Sequence, residues 1–270
     1  MAGLFLFDGE SGGVGKSTAT RAFLEYARTC KWKNVKLHDL DTSKLDVGLT
    51  YDPTRYQTED HSADKQGSFI RFTERNTSKS KVNALFEEAL SQNVVVNLPS
   101  NIKPMLDSWL INNNISYLTE KIGLPFFKFF ICSGQKSSID LFLQSLETHS
   151  HQGIYHVFVL NKAFDVSFED VKSISAVLKQ KIEVDKIATM FLPALDEQVY
   201  ATVRNLNLTL ENATGNFPEM GILGASSVHR FIDDCNAQFN PLFENLKFKP
   251  DKSFTLEQIT KALAGGKKHD

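Results

Sequence analysis

Short apolar runs alternate with longer amphipathic stretches along most of this chain. Gly3 to Asp8 is an apolar run that ends in a glycine-rich turn. From Lys16 to Lys31, Ala19, Ala22, Phe23, Ala27 and Cys30 recur at helical spacing. Val35 to Asp39 reads as a second strand. Residues Thr50 to Gln66 are polar, contain Pro53 and lack periodicity, which predicts a loop. Ser78 to Gln92 carries Val82, Leu85, Phe86, Ala89 and Leu90 on one helical face, and the valine-dense Asn93 to Leu98 reads as a strand buried on both sides. The pattern then predicts a helix over Ile102–Ile122, a strand over Pro125–Cys132, a helix over Ser137–Glu147 and a strand over Ile154–Leu160. Next come a helix over Phe168–Lys181, a strand over Lys186–Leu192, and helices over Asp196–Leu206 and Gly224–Leu242.

Alternation of this kind predicts an α/β fold, a mostly parallel β-sheet flanked by helices on both faces. No repeat and no Pro-, Gly- or Ser-rich linker divides the chain, so one domain is expected over residues 1–245. Residues 246–270 form a mildly basic tail, a short helix with a frayed end.

With 270 residues, 41% of them hydrophobic, the chain can bury a sizeable core, which excludes disordered and collagen-like classes. Lysine and arginine total 30 against 32 aspartates and glutamates, a formal charge of −2, unlike a strongly basic nucleic-acid binder. Three dispersed cysteines, Cys30, Cys132 and Cys235, offer neither a disulfide framework nor CxxC metal spacing. The first apolar run is too short for a signal peptide and no stretch reaches membrane-spanning length, so a cytoplasmic location is expected.

The most specific chemistry lies in Glu10-Ser11-Gly12-Gly13-Val14-Gly15-Lys16-Ser17-Thr18, between the first strand and the first helix. That context is the one a phosphate-binding loop requires. Gly12, Gly13 and Gly15 let the backbone wrap an anion where side chains would collide, and the N–H groups of Gly12 to Thr18, with the helix N-terminus, point at it. Lys16 supplies a charge to the β and γ phosphates, and the Ser17 hydroxyl can coordinate Mg²⁺.

Glu10 stands where the ordinary loop has glycine. The segment resembles instead the deviant Walker A version, Lys-Gly-Gly-Val-Gly-Lys-Ser/Thr, of the ParA/MinD family of P-loop ATPases. By element order the resemblance covers roughly residues 1–240, with its specific motifs in the first 50. It implies ATP and Mg²⁺ as cofactors and a homodimer formed on ATP binding, two monomers enclosing two nucleotides. His38-Asp39-Leu40-Asp41 matches the family's Asp-x-Asp segment. By resemblance, Asp39 holds Mg²⁺ through water and Asp41 orients or activates the attacking water, the catalytic partner of Lys16. Lys44 to Leu49 also resembles the segment that follows this pair in MinD-like proteins.

Two positions depart from the pattern. The signature lysine that reaches the partner's phosphates is Ser11 here, and Lys136, in the loop after the Pro125–Cys132 strand, is a candidate replacement. The strand that ends in Asp-x-Pro in the family is Val94-Val95-Val96-Asn97-Leu98-Pro99 here. An amide at Asn97 can accept a hydrogen bond from a metal-bound water but brings no negative charge, so slow turnover is expected.

Asn161-Lys162, after the strand Val157 to Leu160, sits where family members place an asparagine against the base. Asp165 lies one residue beyond the spacing that reads guanine, which favours ATP. Phe191 to Asp196 resembles the family's proline loop, with Pro193 packing on adenine. The implied function is an ATPase that positions or segregates a cargo through an adaptor protein. Plasmid partition or mobilisation is the first expectation, and positioning of a protein compartment such as a carboxysome the second. Two rivals are a non-hydrolysing nucleotide-dependent interaction module, to which Ser11 and Asn97 both point, and an amidoligase or dethiobiotin-synthetase-like enzyme. Nonspecific DNA is a candidate partner through Arg204, Lys247 and Lys249. The tail stripe Leu256, Ile259 and Leu263 is too short and too weakly basic for a membrane partner to be expected.

Overall fold

In the computed structural model, the described residues are 2–41, 45–57, 76–148, 153–165, 187–245, 248 and 253–264. They build one six-stranded sheet of order β2-β3-β1-β4-β5-β6, in which every pairing is parallel. The strands are β1 (Gly3–Gly9), β2 (Val35–Asp39), β3 (Asn93–Asn97), β4 (Phe126–Cys132), β5 (Tyr155–Asn161) and β6 (Ile187–Leu192). The helices are α1 (Lys16–Thr29), α2 (Asp46–Tyr51), α3 (Pro53–Gln57), α4 (Asn76–Ala89), α5 (Lys103–Asn112), α6 (Ile115–Ile122) and α7 (Lys136–Thr148). They continue with α8 (Glu197–Asn205), α9 (Leu210–Gly215), α10 (Phe217–Asn245) and α11 (Leu256–Ala264).

Three expectations change. The polar stretch after Thr50 does not start as a loop: α2 and α3 occupy Asp46 to Gln57, each too short to leave a periodic signal. The single helix expected over Ile102–Ile122 is two, because Asn114 adopts a left-handed backbone (φ 51°) that no helix continues through. The last long helix begins seven residues earlier than expected, with a kink at Gly221, whose φ of 66° and ψ of 163° suit glycine. The helix expected over Phe168–Lys181 lies outside the described residues.

Period-two alternation sorts the strand side chains onto two faces. Phe5 and Phe7 of β1 face one side and stack on Phe127 and Phe129, their register partners on β4, with ring centroids 5.3 and 4.7 Å apart. Phe23 of α1 and Phe239 and Phe243 of α10 close over them. Leu4, Leu6, Val94, Val96 and Phe126 face the other side, against α4 and α5. Farther along that sheet, Phe130, Cys132, Phe158 and Leu160 pack with Phe142 and Leu146 of α7. The many phenylalanines thus form the central layer, and all six carboxyl strand ends emerge at one edge.

The described tail residues pack on this body. Phe248 joins the Phe5, Trp32, Phe127 and Phe243 cluster, while Phe254 packs against the opposite face and donates its N–H to the Leu90 carbonyl at 2.8 Å. Helix α11 lies beside α6; within the stripe Ile259 is half-buried, whereas Leu256 stays largely exposed. Among the described residues no helix is long and apolar enough to cross a membrane.

The tail packing has a measurable consequence. Replacing Phe248 by Ala removes four aromatic contacts and should lower stability by about 2–4 kcal/mol in urea unfolding. A tail independent of the core would leave the midpoint unchanged.

Candidate functional site

The carboxyl edge collects residues that are far apart in sequence. Parallel register sets Phe7 of β1 beside Asn97 of β3, and Asn97 beside Asp39 of β2. Beyond β1 the chain turns through Glu10 to Gly15 and enters α1. Gly13 (φ 79°) and Gly15 (φ 108°) take left-handed backbones. Gly15 is also required by space, since a Cβ there would lie 2.5 Å from Asn161 Nδ2. Gly15 is the N-cap of α1, no side chain caps the helix, and no acidic residue occupies its first turn. Its first N–H groups therefore face the concavity of the loop with their partial positive charge unspent.

Lys16 is buried, and its Nζ donates to the Ser11 carbonyl at 2.8 Å and to Ser100 Oγ at 3.3 Å. Burial lowers its pKa, while Asp8 and Asp41 pull it back upward. Val14 is buried under the loop, and Thr18 Oγ1 donates to Tyr200 OH on α8 at 3.0 Å. Below the loop, Asp8 accepts the Gly9 N–H at 2.8 Å and pairs at 3.1 Å with Lys128, which is itself buried in β4. Glu10 reaches sideways, its Oε1 accepting the Ser133 N–H beyond β4 at 3.1 Å. The glutamate that stands in place of the first glycine thus ties the loop to the turn after β4.

Asp39 is buried at the end of β2 and its carboxylate is fully engaged. Oδ2 accepts the Gly48 N–H at 2.8 Å; Oδ1 accepts the Asn97 amide at 2.9 Å and the Asp41 N–H at 3.3 Å. Burial still wins over these donors and pushes its pKa up to about 6. Helices α2 and α3 strap this strand end: Tyr56 OH accepts the Asp39 N–H at 2.6 Å, and Arg55 donates to the Leu37 carbonyl at 2.9 Å. Gly48 permits the strap, because a Cβ there would meet the Tyr56 ring at 2.8 Å. His38, one residue from Asp39 and so on the opposite face, sets its Nε2 2.7 Å from Glu88 of α4.

Asn97 engages the protein through both ends of its amide. Its Nδ2 donates to Asp39 and approaches Ser17 Oγ at 3.4 Å, and its Oδ1 accepts from Thr20 at 3.3 Å. The amide is thus spent on the protein and presents a donor, not an acceptor, toward Asp39. An aspartate at 97 would set one carboxylate against another, so the amide and the buried Asp39 suit each other.

Lys16, Ser17, Asp41, Asp46, Ser100 and Arg204 line, with Gly13, Gly15, Thr18 and Tyr200, a cavity of about 160 Å³. Ser17 and Asp39 lie on either side of the Asn97 amide. Of the two expected Mg²⁺ ligands, Ser17 lines the cavity, whereas Asp39 does not and its carboxylate already accepts from Gly48, Asn97 and Asp41. At the far side, Asn161 donates to the Val14 carbonyl at 2.9 Å and accepts the Ala163 N–H at 3.0 Å, holding the loop from below. Pro193 follows β6 directly and Lys136 opens α7, so both stand at the same edge; Lys136 is exposed.

Ser100, Tyr200 and Asp46 were not singled out from sequence. Ser100 follows Leu98-Pro99 immediately, which is the signal that could have found it. Arg204, one of the three candidate DNA-facing cations, donates its Nε to Asp46 Oδ2 at 2.9 Å and lines the cavity. Lys247 and Lys249, the other two candidates, lie outside the described residues.

No family model and no curated protein matches the sequence. The chain is similar to a number of solved structures, two of which are the following. A nucleotide-binding protein from Archaeoglobus fulgidus in complex with ADP is 14% identical, covers 76% of this chain and 86% of its own, and superposes with a TM-score of 0.46. A protein described as a plasmid partition protein of Borrelia burgdorferi B31, bound to AMPPNP, is also 14% identical; it covers 86% of this chain and 98% of its own, with a TM-score of 0.43.

The Asp39 environment sets a pH dependence. Its carboxyl titrates near 6 when folded against an ordinary 3.8, so the folded chain holds the extra proton between those values. The stability this contributes is fully present below about pH 4 and is lost as pH rises through about 6. The unfolding free energy of wild type relative to Asp39→Ala should fall by about 2–3 kcal/mol between pH 4 and pH 7. Urea titrations at fixed pH steps check this; a flat difference would place Asp39 in a solvated setting.

Proposed function

We propose that this chain is a ParA/MinD-like, Mg²⁺-dependent ATPase. The observation that carries the reading is the uncapped start of α1 behind a glycine loop, with buried Lys16 opening into one cavity with Ser17 and Asp41. Backbone N–H groups from Gly12 to Thr18 bind the phosphate chain, and Lys16 exchanges its Ser11 and Ser100 acceptors for phosphate oxygens. Ser17 directly and Asp39 through water would hold Mg²⁺, which would supply charge neutralisation on the phosphates. Asp41 orients the attacking water, and Asn161 and Pro193 border the base.

The resemblance extends the proposal to a homodimer formed on ATP binding, with Lys136 in the role of the absent signature lysine. It also extends to a cargo, a plasmid first, engaged through an adaptor protein. One observation favours a second reading, a nucleotide-dependent interaction module that does not turn over. Asn97 brings no negative charge to the metal side and donates to Asp39, which weakens the charge available to hold the ion.

Filter retention of radiolabelled ATP tests the binding, and single-turnover phosphate release separates the two readings. Lys16→Ala should weaken retention by about 10- to 100-fold, the loss of charge-assisted hydrogen bonds. Asp41→Ala should keep retention near wild type and slow phosphate release by about 100-fold. Tight retention with no release from wild type would favour the module; no retention at all would end both.

A further inference from the structure

We propose that Arg204 is a second phosphate-binding cation of the nucleotide cavity, parked on Asp46 until a phosphate chain arrives. The inference deepens the nucleotide reading above and rests on it. Arg204 lies in the last turn of α8, between Asp46, whose Oδ2 receives its Nε at 2.9 Å, and the Tyr200 ring, 5.9 Å away. Tyr200 in turn takes the Thr18 hydroxyl, so α8 is docked directly on the first turn of α1. Arg204 and Lys16 are the cationic side chains among the described residues that line this cavity, with Asp41 and Asp46 as the anionic ones.

The pairing is built to be exchanged. Arg204 is 37% exposed, and a partly solvated ion pair is weak, whereas a phosphate offers the planar guanidinium a two-pronged charge-assisted contact. Releasing Arg204 does not strand Asp46. The fully buried Arg21 stands 3.8 Å from the same carboxylate oxygen, and its Nη2 also donates to the Asp46 carbonyl at 2.8 Å. A carboxylate that keeps one cation can lend the other without leaving a lone buried charge. The cavity of the empty protein is then near electrical balance, and an entering polyanion tips it by drawing Arg204 away from Asp46. Arg204 thus brings a second positive charge, beside Lys16, to the cavity from within the same protomer.

The test is displacement of a fluorescent ATP analogue from the full-length protein, in Mg²⁺, by ATP and by inorganic triphosphate. Inorganic triphosphate isolates phosphate recognition from contacts to base and ribose. Arg204→Ala should weaken both competitors by about tenfold, Arg204→Lys should recover part of that loss, and the nucleotide-free melting temperature should stay close to wild type. Unchanged affinity for inorganic triphosphate in Arg204→Ala would overturn the proposal, and a lowered nucleotide-free melting temperature beside it would make Arg204 a bridge between α2 and α8. If wild-type protein takes up no analogue, the nucleotide reading itself fails, and the role of Arg204 with it.

Discussion

A helix that begins without a side-chain cap leaves its first amide N–H groups unsatisfied, and the upper edge of this molecule is arranged around that one deficit. Gly15 cannot cap α1, the first turn carries no acidic residue, and the loop before it curls on two left-handed glycines. The exposed partial positive charge is of the sign that favours an anion over a cation at this end of the helix. The supports of the loop follow from the same need. The buried Asp8–Lys128 pair lies below it, Glu10 ties it to the turn after β4, and Asn161 holds the Val14 carbonyl. A backbone cradle works only if its shape is kept without the ligand, and these contacts keep it.

The second arrangement is electrostatic. Asp39 is ionised only at a cost, because it is buried, and the protein offsets that cost with three donors: Gly48, Asn97 and Asp41. Replacing the expected aspartate by Asn97 belongs to this balance. Two carboxylates side by side in the empty site would repel; an amide and a carboxylate attract. The same substitution leaves fewer negative charges for a divalent ion, so a single residue bears both on the stability of the empty protein and on the rate expected of the filled one. The strap formed by α2 and α3 couples the two regions. It gives Gly48 to Asp39 and Asp46 to Arg21 and Arg204, joining the end of β2 to α8.

The aromatic layer underneath makes this edge rigid. Phe5, Phe7, Phe127 and Phe129 stack in register across the two central strands, and α1 packs on them through Phe23. The helix that carries Lys16, Ser17 and Thr18 is thus fixed to the strands that carry Asp8 and Lys128. Phe248 and Phe254 pack on opposite faces of the same sheet, so both add to its core.

How far the amino-acid sequence reaches follows from which interactions are local. Strand and helix alternation was legible because buried parallel strands read as short apolar runs and surface helices as 3.6-residue periods. The glycine turn was legible because its pattern is written in consecutive residues, Gly12 to Thr18, between a strand and a helix. The break at Asn114 and the short helices α2 and α3 were not, because a left-handed asparagine and a six-residue helix leave no periodic trace. Nor were Ser100, Tyr200 and Asp46 as cavity residues, the donor role of Asn97, or the inward turn of Arg204. Each of these depends on distant segments meeting: β3 beside β2 in parallel register, α8 folded back on α1, and α2 laid over the end of β2. By itself the sequence determined the layers of the fold and the glycine-rich turn that leads from the first strand into the first helix, since both are encoded within single elements. Tertiary structure alone decided which side chains share the cavity with that loop and how their charges balance, because the Coulomb and hydrogen-bond terms that set this act across space between residues scores of positions apart.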